Sequence, residues 1–111
     1  MDCIFCKMAA RAIKVDPVVE TDRVMVVKDI NPQAPVHLLV IPKTHYASIL
    51  ECKDMGVLGE MMEAAVTSAK KLGVADPGFR LSINTNDEGG QTVFHLHMHL
   101  LAGRPLSGRL G

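Results

Sequence analysis

Three histidines alternate with apolar residues near the carboxyl end of the chain. The segment reads Val93-Phe94-His95-Leu96-His97-Met98-His99-Leu100-Leu101. Alternation with a period of two predicts a β-strand over Val93 to Leu101, whereas on a helix the same histidines would not share a face. The strand would present His95, His97 and His99 on one face and pack the apolar residues between them into the core.

The spacing of these histidines limits the chemistry that they could share. Alternate residues of a strand lie roughly 6.5 Å apart, and the outer two histidines would lie roughly 13 Å apart. A zinc–nitrogen bond is only about 2 Å long, so one ion could hardly bind all three. Three imidazoles also bury little apolar surface and repel one another when protonated, which favours function over a purely structural role. We therefore expect one adjacent pair to act on a phosphate, with the third histidine in a supporting role.

The longest periodic segment predicts a helix from about Lys53 to Leu72. Asp54 suits its amino end, and Gly73 suits a left-handed cap at its carboxyl end. The residues predicted to form its apolar stripe are Met55, Leu58, Met61, Met62, Ala65, Val66, Ala69 and Leu72.

Shorter patterns predict the rest of a single domain over residues 1–111. The expected elements are a short helix within Ile4 to Ile13, a hairpin from Val18–Glu20 and Arg23–Lys28, a buried strand His37–Ile41, a strand Arg80–Asn84 and a polar loop Asn84–Thr92. Strands at both ends of the sequence with one long helix between them favour an α+β fold. We expect a mainly antiparallel sheet of about five strands, with one long and one short helix.

Composition excludes several classes of function. Twelve basic and twelve acidic residues give zero net charge and are scattered along the sequence, so a long nucleic acid is not an expected partner. No segment has the apolar length of a membrane span, and Met1 to Lys7 does not resemble the start of a secretory signal, so we expect a cytoplasmic protein. Three cysteines argue against a disulfide framework. A domain this small would benefit from a homodimer partner that covers an exposed sheet edge.

Several motifs, taken together, resemble the histidine-triad family. His95 to Leu101 matches the signature HφHφHφφ, in which φ is apolar. Further segments resemble the nucleotide-binding-protein branch of that family, in chain order Cys3–Lys7, Asp29–Pro35, His37–His45 and Gly89–Phe94. The resemblance extends to about Arg104. The tail Pro105–Gly111 lacks the aromatic residue that often helps select the leaving group in this branch.

The resemblance implies a hydrolase that attacks the α-phosphorus of purine nucleoside phosphoramidates without a catalytic cofactor. His97 would be the nucleophile and would form a nucleotidyl-histidine that water then hydrolyses. His99 would hold a phosphate oxygen and, when protonated, offset negative charge or help the amine leave. His37 would complete the hydrogen-bonded network.

The resemblance also implies how the nucleotide is bound. Asp29 would accept the ribose hydroxyls, and Ile30 would contact the base together with apolar residues such as Ile4 and Phe5. Gly90, Gln91 and Thr92 would wrap the phosphate with free backbone N–H groups, and Asn84 and Thr92 would add side-chain hydrogen bonds.

Cys3 and Cys6 have the CxxC spacing of a metal site or of a redox pair. A redox pair would follow a strand, but only two residues precede Cys3. The resemblance implies a structural zinc site formed by this pair with His45 and His95. Two buried thiols without metal are the alternative.

Three other functions fit the same motifs. The protein could hydrolyse dinucleoside polyphosphates, or it could be a purine-nucleotide-binding regulatory module whose turnover is incidental. A zinc-dependent hydrolase with its metal at the histidine segment is the third. Chelation and a comparison of substrates would separate these alternatives.

Overall fold

Five antiparallel strands form one open sheet in the order β1-β2-β3-β5-β4 in the computed structural model, which describes residues 3–109. The elements are α1 (Ile4–Ala9), β1 (Val19–Glu20), β2 (Val24–Lys28), β3 (Val36–Pro42), a 3₁₀ turn (Ile49–Glu51), α2 (Met55–Lys71), β4 (Phe79–Ser82) and β5 (Met98–Ala102). The predicted α+β class is confirmed, with one long and one short helix. Met1 and Asp2, used above to argue against a signal, and Leu110 and Gly111 of the tail lie outside the described residues.

Both faces of the sheet carry apolar cores, and each face packs against a different helix. Along β2, Val24 and Val26 belong to the core beneath α2, while Met25 and Val27 face the other way. The second core, on the α1 face, is formed by Cys3, Phe5, Met25, Val27, Leu39 and Ile41. Within residues 3–109, neither helix has the length and apolar content needed to cross a bilayer.

Helix α2 begins and ends as predicted, but the predicted apolar stripe is partly wrong. The Asp54 side chain accepts a hydrogen bond from the Val57 backbone N–H, and Gly73 has a φ of 73° after the last turn. Four residues expected in the core are exposed, namely Met55, Met62, Val66 and Leu72. The buried face consists of Val57, Met61, Ala64, Ala65, Ser68 and Ala69. Apolar residues occupy two sides of this helix, and the small residues of the buried side let it approach the sheet closely.

Helix α1 is shorter than predicted and ends at Ala9 rather than near Ile13. Arg11 adopts a left-handed conformation with a φ of 58°, which ends the helix. Its guanidinium pairs with Glu20, so the residue that ends the helix is held by contacts to β1. The sequence pattern does not report such contacts between distant residues.

Strand β5 begins at Met98, so the prediction that all three histidines lie on one strand is wrong. Only His99 lies within the strand. In the pairing with β3, Val40 lies opposite Met98, and β3 ends two residues later at Pro42. Proline has no N–H for a further ladder hydrogen bond. The Pro42 carbonyl instead accepts a hydrogen bond from the ring of His95, at 2.8 Å.

Candidate active site and metal cluster

The three histidines still lie on one face of the sheet, the face that carries α1. Their apolar neighbours Leu96, Met98 and Leu100 belong to the opposite core, beneath α2. Phe5 of α1 packs edge-on against the rings of His95 and His97, with centroid distances of 5.6 and 5.1 Å. The ring centroids of His97 and His99 are 5.0 Å apart. The irregular segment before β5 therefore keeps the shared face, although it is not a strand.

His97 has a free ring nitrogen because its other nitrogen is bound to the backbone. Its Nδ1 lies 2.7 Å from the carbonyl oxygen of His95. A carbonyl only accepts, so Nδ1 carries the hydrogen and Nε2 keeps its lone pair. The side chain is 7% exposed and borders a cavity of about 390 Å³. A neutral imidazole held in this tautomer is a nucleophile directed into a pocket.

A hydrogen-bond chain fixes the protons of His37 and His99. The Gln33 backbone N–H donates to His37 Nδ1 at 3.0 Å, so His37 carries its hydrogen on Nε2. That hydrogen can be donated to His99 Nδ1, which lies 2.9 Å away. His99 must then carry its own hydrogen on Nε2. The ring offers an N–H donor to a ligand in the same cavity.

His99 is kept neutral near pH 7 by its surroundings in the protein, and its protonation during catalysis stays a prediction. Burial, together with the neighbouring His97 and His37, lowers the pKa of His99 to about 4. Protonation of Nδ1 would also place a second hydrogen between two nitrogens that already share one. In this neutral form, His99 can stabilise a phosphate oxygen by donating a hydrogen bond.

Asp29 lies beside this chain. Its Oδ2 is 3.3 Å from His37 Nε2, and its Oδ1 accepts a hydrogen bond from the Asn31 backbone N–H at 2.8 Å. One ligand atom from each of Asp29, His37 and His99 lies within 4.8 Å of the others, as in a metal site. However, the 2.9 Å contact between His37 and His99 is a hydrogen bond, and the tautomer of His37 leaves no lone pair for a metal. This arrangement argues against catalytic zinc at the histidine segment.

Both polar and apolar side chains line the cavity. Its lining includes four residues predicted to contact the sugar and base, Ile4, Phe5, Asp29 and Ile30, and also the phosphate-binding candidate Thr92. Ile30 is 97% exposed, so its apolar side chain is free to cover a planar base. Further lining residues that the sequence analysis did not single out are Met8, Lys28, Asn31, Gln33, Leu39 and Val93. Gln33 acts through its backbone N–H, which no residue type reveals.

Two of the three backbone N–H groups that the sequence analysis expected to be free, those of Gly90 and Gln91, form hydrogen bonds within the loop. The N–H of Gly90 donates to Asp87, and that of Gln91 donates to Asn86, both at 3.0 Å. Asn84 lies next to Gly90. Unlike Thr92, these three candidates do not contribute to the lining of the histidine cavity within the described part of the chain.

The side chain of Gln91 forms hydrogen bonds that hold this loop in place, and a role of Gln91 in substrate binding stays a prediction. It is 5% exposed. Its Oε1 accepts from the Asn86 backbone N–H at 2.9 Å, and its Nε2 donates to the carbonyls of Ala47 and Val93 at 2.8 and 3.0 Å. Gln91 thus ties the loop to the segment after β3 and to the residues that precede His95.

Four side chains at the amino end of α1 lie close enough together to bind a metal ion. They are those of Cys3, Cys6, His45 and His95. Their ligand atoms all lie within 4.8 Å of one another. From Nδ1 of His95, Cys3 Sγ is 3.3 Å away, Cys6 Sγ 3.5 Å and His45 Nδ1 3.1 Å. A tetrahedral zinc site with bonds of about 2.0 to 2.3 Å separates its ligand atoms by about 3.3 to 3.8 Å. The donor types and their spacing fit that ion.

Protonation in this cluster also suits a metal. The ring of His95 donates from Nε2 to Pro42, so its Nδ1 lone pair faces the other donors. Burial lowers the pKa of His95 and keeps the ring neutral. Burial and the neighbouring Cys3 raise the pKa of Cys6, so that thiolate formation requires a nearby positive charge. A bound cation would supply it.

Comparison with known proteins identifies close relatives over nearly the whole chain. Residues 10–106 match the HIT domain family. The purine nucleoside phosphoramidase of Escherichia coli (strain K12) is 43% identical over 107 residues, which cover 95% of this chain and 90% of that protein. Protein HitA of Neisseria gonorrhoeae is 46% identical over 107 residues, covering 95% of this chain and 98% of that protein.

Solved structures share the same fold. A histidine triad protein from Clostridium difficile superimposes with a TM-score of 0.94 and 43% identity, covering 98% of this chain and 96% of that one. A HIT family hydrolase from Clostridium thermocellum gives a TM-score of 0.95 and 42% identity, also covering 98% and 96%. Fold and sequence similarity therefore point to the same group of proteins.

Proposed function

The chain belongs to the HIT domain family as one of its hydrolases, and we propose that it hydrolyses purine nucleoside 5′-phosphoramidates through a covalent intermediate on His97. The observation that carries this proposal is the orientation of His97, whose Nδ1–H is held by a backbone carbonyl while Nε2 is free. A 43% identical relative is named a purine nucleoside phosphoramidase, which supports the choice of substrate.

The proposed reaction has two displacements at the α-phosphorus. His97 Nε2 attacks phosphorus, the phosphorus–nitrogen bond to the amine breaks, and the amine leaves with the electron pair and takes up a proton from solvent. Water then attacks the same phosphorus and gives a proton to solvent, the bond to His97 breaks, and the lone pair of His97 is restored. The products are a nucleoside 5′-monophosphate and an amine, and no catalytic cofactor takes part.

The neighbouring residues would bind and orient the nucleotide. The neutral His99 would donate its Nε2–H to a phosphate oxygen, which gains negative charge in the transition state. Thr92 would add a hydroxyl donor at the same end of the cavity. Asp29 would accept ribose hydroxyls, and Ile30 would cover one face of the base.

Detection of the intermediate tests this function. The protein is mixed with adenosine 5′-phosphoramidate, quenched within milliseconds to seconds, and examined by intact-protein mass spectrometry followed by peptide mapping. We expect an adenylyl adduct on His97, and none in His97→Ala. Leu50→Ala, on the exposed 3₁₀ turn, serves as the matched control and should form the adduct. Turnover without an adduct on His97, or retained turnover in His97→Ala, would overturn the mechanism.

We also propose that Cys3, Cys6, His45 and His95 hold a structural zinc ion. When bound, the ion would supply the positive charge that keeps both thiols ionised, and it would attach α1 to the sheet. Two cysteines from α1 and its amino-terminal flank meet two histidines from the sheet side, so the four residues join separate parts of the fold. Metal analysis of the purified protein should give about one zinc per chain, and a metal-free protein with unchanged stability would refute this site.

A homodimer is the third part of the proposal. β4 is an edge strand, and α2 exposes Met55 and Met62, which are 66% and 50% exposed. Pairing of two copies would cover both the edge and these side chains. Sedimentation analysis should give twice the chain mass, and Met62→Glu should shift it towards the monomer. A monomer at micromolar concentration would contradict the pairing.

A further inference from the structure

His37 has one hydrogen and two acceptors within reach. The hydrogen is on Nε2 because Nδ1 accepts from the Gln33 backbone N–H. The two acceptors are His99 Nδ1 at 2.9 Å and Asp29 Oδ2 at 3.3 Å. A carboxylate is a stronger acceptor than a neutral ring nitrogen because it carries a charge. The two groups therefore compete for the same hydrogen.

The outcome of that competition matters for His99. Donation from His37 to His99 Nδ1 fixes the His99 tautomer, with Nε2–H available to the phosphate. Donation to Asp29 releases His99, whose hydrogen can then move to Nδ1. The ring in that tautomer presents a lone pair to the phosphate instead of a donor, and it repels the negative oxygen.

The carboxylate that competes is the group proposed to bind ribose. Its Oδ1 already accepts from Asn31, so Oδ2, the oxygen nearest His37, has more accepting capacity left for a ribose hydroxyl. A hydroxyl that donates to Oδ2 withdraws its charge from the His37 hydrogen. With ribose in place, that hydrogen is left to His99.

Asp29 cannot settle the competition by moving away from His37. The Asp29 backbone N–H donates to the His37 carbonyl at 2.9 Å, directly beyond the paired residues of β2 and β3. Its side chain is only 18% exposed. The backbone thus holds the carboxylate next to the His37 ring, and a change in its hydrogen bonding is the available response to a ligand.

We propose that Asp29 is a positioning residue as well as a ribose ligand: hydroxyls bound to its carboxylate direct the His37 hydrogen to His99, so ribose binding raises the rate of phosphoryl transfer and not only substrate affinity. This inference rests on the proposed function, and it concerns how the same site recognises its substrate.

Steady-state kinetics with two substrates test the inference. We compare adenosine 5′-phosphoramidate with its 2′,3′-dideoxy analogue and determine kcat and KM separately. In the unmodified protein, kcat for the dideoxy analogue should be about tenfold lower, the change expected for one weakened hydrogen bond at the reacting phosphate. In Asp29→Asn, which lacks the competing charge, the two kcat values should agree within about twofold, while KM for the ribose substrate rises.

Ile30→Ala serves as the matched control, because it weakens base binding and leaves Asp29 intact. KM should rise in this variant for both substrates, and the tenfold ratio of kcat values should remain. A purely binding role for Asp29 predicts equal kcat for the two substrates in the unmodified protein, which would overturn the inference without any variant. A ratio that persists in Asp29→Asn would also overturn it. If the ribose substrate is not turned over at all, the proposed function itself fails.

Discussion

Two groups of histidines lie side by side on the α1 face of the sheet, and they are suited to different chemistry. In the cysteine–histidine cluster, the Nδ1 lone pair of His95 lies 3.1 Å from His45 Nδ1, with two sulfur atoms beside it. In the active site, His37 and His99 are 2.9 Å apart with a hydrogen between them. The first arrangement could bind a cation, whereas the second is held together by a hydrogen bond.

The difference comes from the second nitrogen of each ring. His95 donates to a carbonyl from Nε2 and so faces the cysteines with a lone pair. His37 accepts a backbone N–H on Nδ1 and so faces His99 with a hydrogen. The same type of side chain thus presents a lone pair in one place and a hydrogen in the other. The difference is set by the single backbone group that each ring contacts.

The largest expected effect is a loss of activity, and it tests whether the two groups of histidines are separate sites. His97→Ala should lower kcat/KM for adenosine 5′-phosphoramidate by roughly 10⁴-fold or more, because it removes the nucleophile. Its zinc content should equal that of the unmodified protein. A variant that loses both activity and metal would mean that the groups form one site, contrary to the comparison.

Substitution of a proposed zinc ligand should lower stability more than it lowers activity. Cys6→Ser removes one ligand, so we expect zinc content near zero and a loss of several kcal/mol in the free energy of unfolding. Denaturant titration with metal analysis measures both. Cys52→Ser is the matched control, since Cys52 is buried but lies outside the cluster. Equal metal loss in the two variants would contradict the ligand assignment.

A smaller effect on stability is expected for Gln91, whose side chain holds the loop that precedes the histidine segment. Gln91→Met removes three hydrogen bonds from a buried side chain and should cost about 1 to 3 kcal/mol. Faster hydrogen exchange over residues 86–93 would locate the loss. Gln33→Met changes an exposed glutamine and should cost below about 0.5 kcal/mol. If the two substitutions cost the same, Gln91 does not brace the loop.

The smallest expected effect is the pH dependence of stability. Since the folded pKa of His99 is lowered from 6.5 to about 4, the unfolded chain binds this proton first as the pH falls. Stability should therefore decrease between pH 6.5 and 4, by less than about 1.4 kcal/mol per pH unit because the ring is only partly buried. Urea titrations of the protein and of His99→Gln should show a shallower slope in the variant. Parallel slopes would indicate that His99 is already charged.

Local patterns predicted most of the fold. The hairpin, the buried strand and the ends of α2 agree with the sequence analysis within about two residues, because alternation, capping residues and glycine act over short distances. The predictions for the buried side of α2 and for the start of β5 were wrong. Two apolar stripes on one helix look alike in sequence, and the start of β5 depends on Pro42, which is more than fifty residues away.

The sequence by itself determined the candidate residues for the chemistry: the alternation around His95, His97 and His99 and the CxxC spacing are local properties of the chain. Only the tertiary structure decided which ring nitrogen of each histidine is free. That choice is made by backbone groups of Gln33, Pro42 and His95, and every residue except proline carries the same N–H and carbonyl. The positions of these backbone groups, and not the types of their residues, therefore determine which ring nitrogen carries the hydrogen.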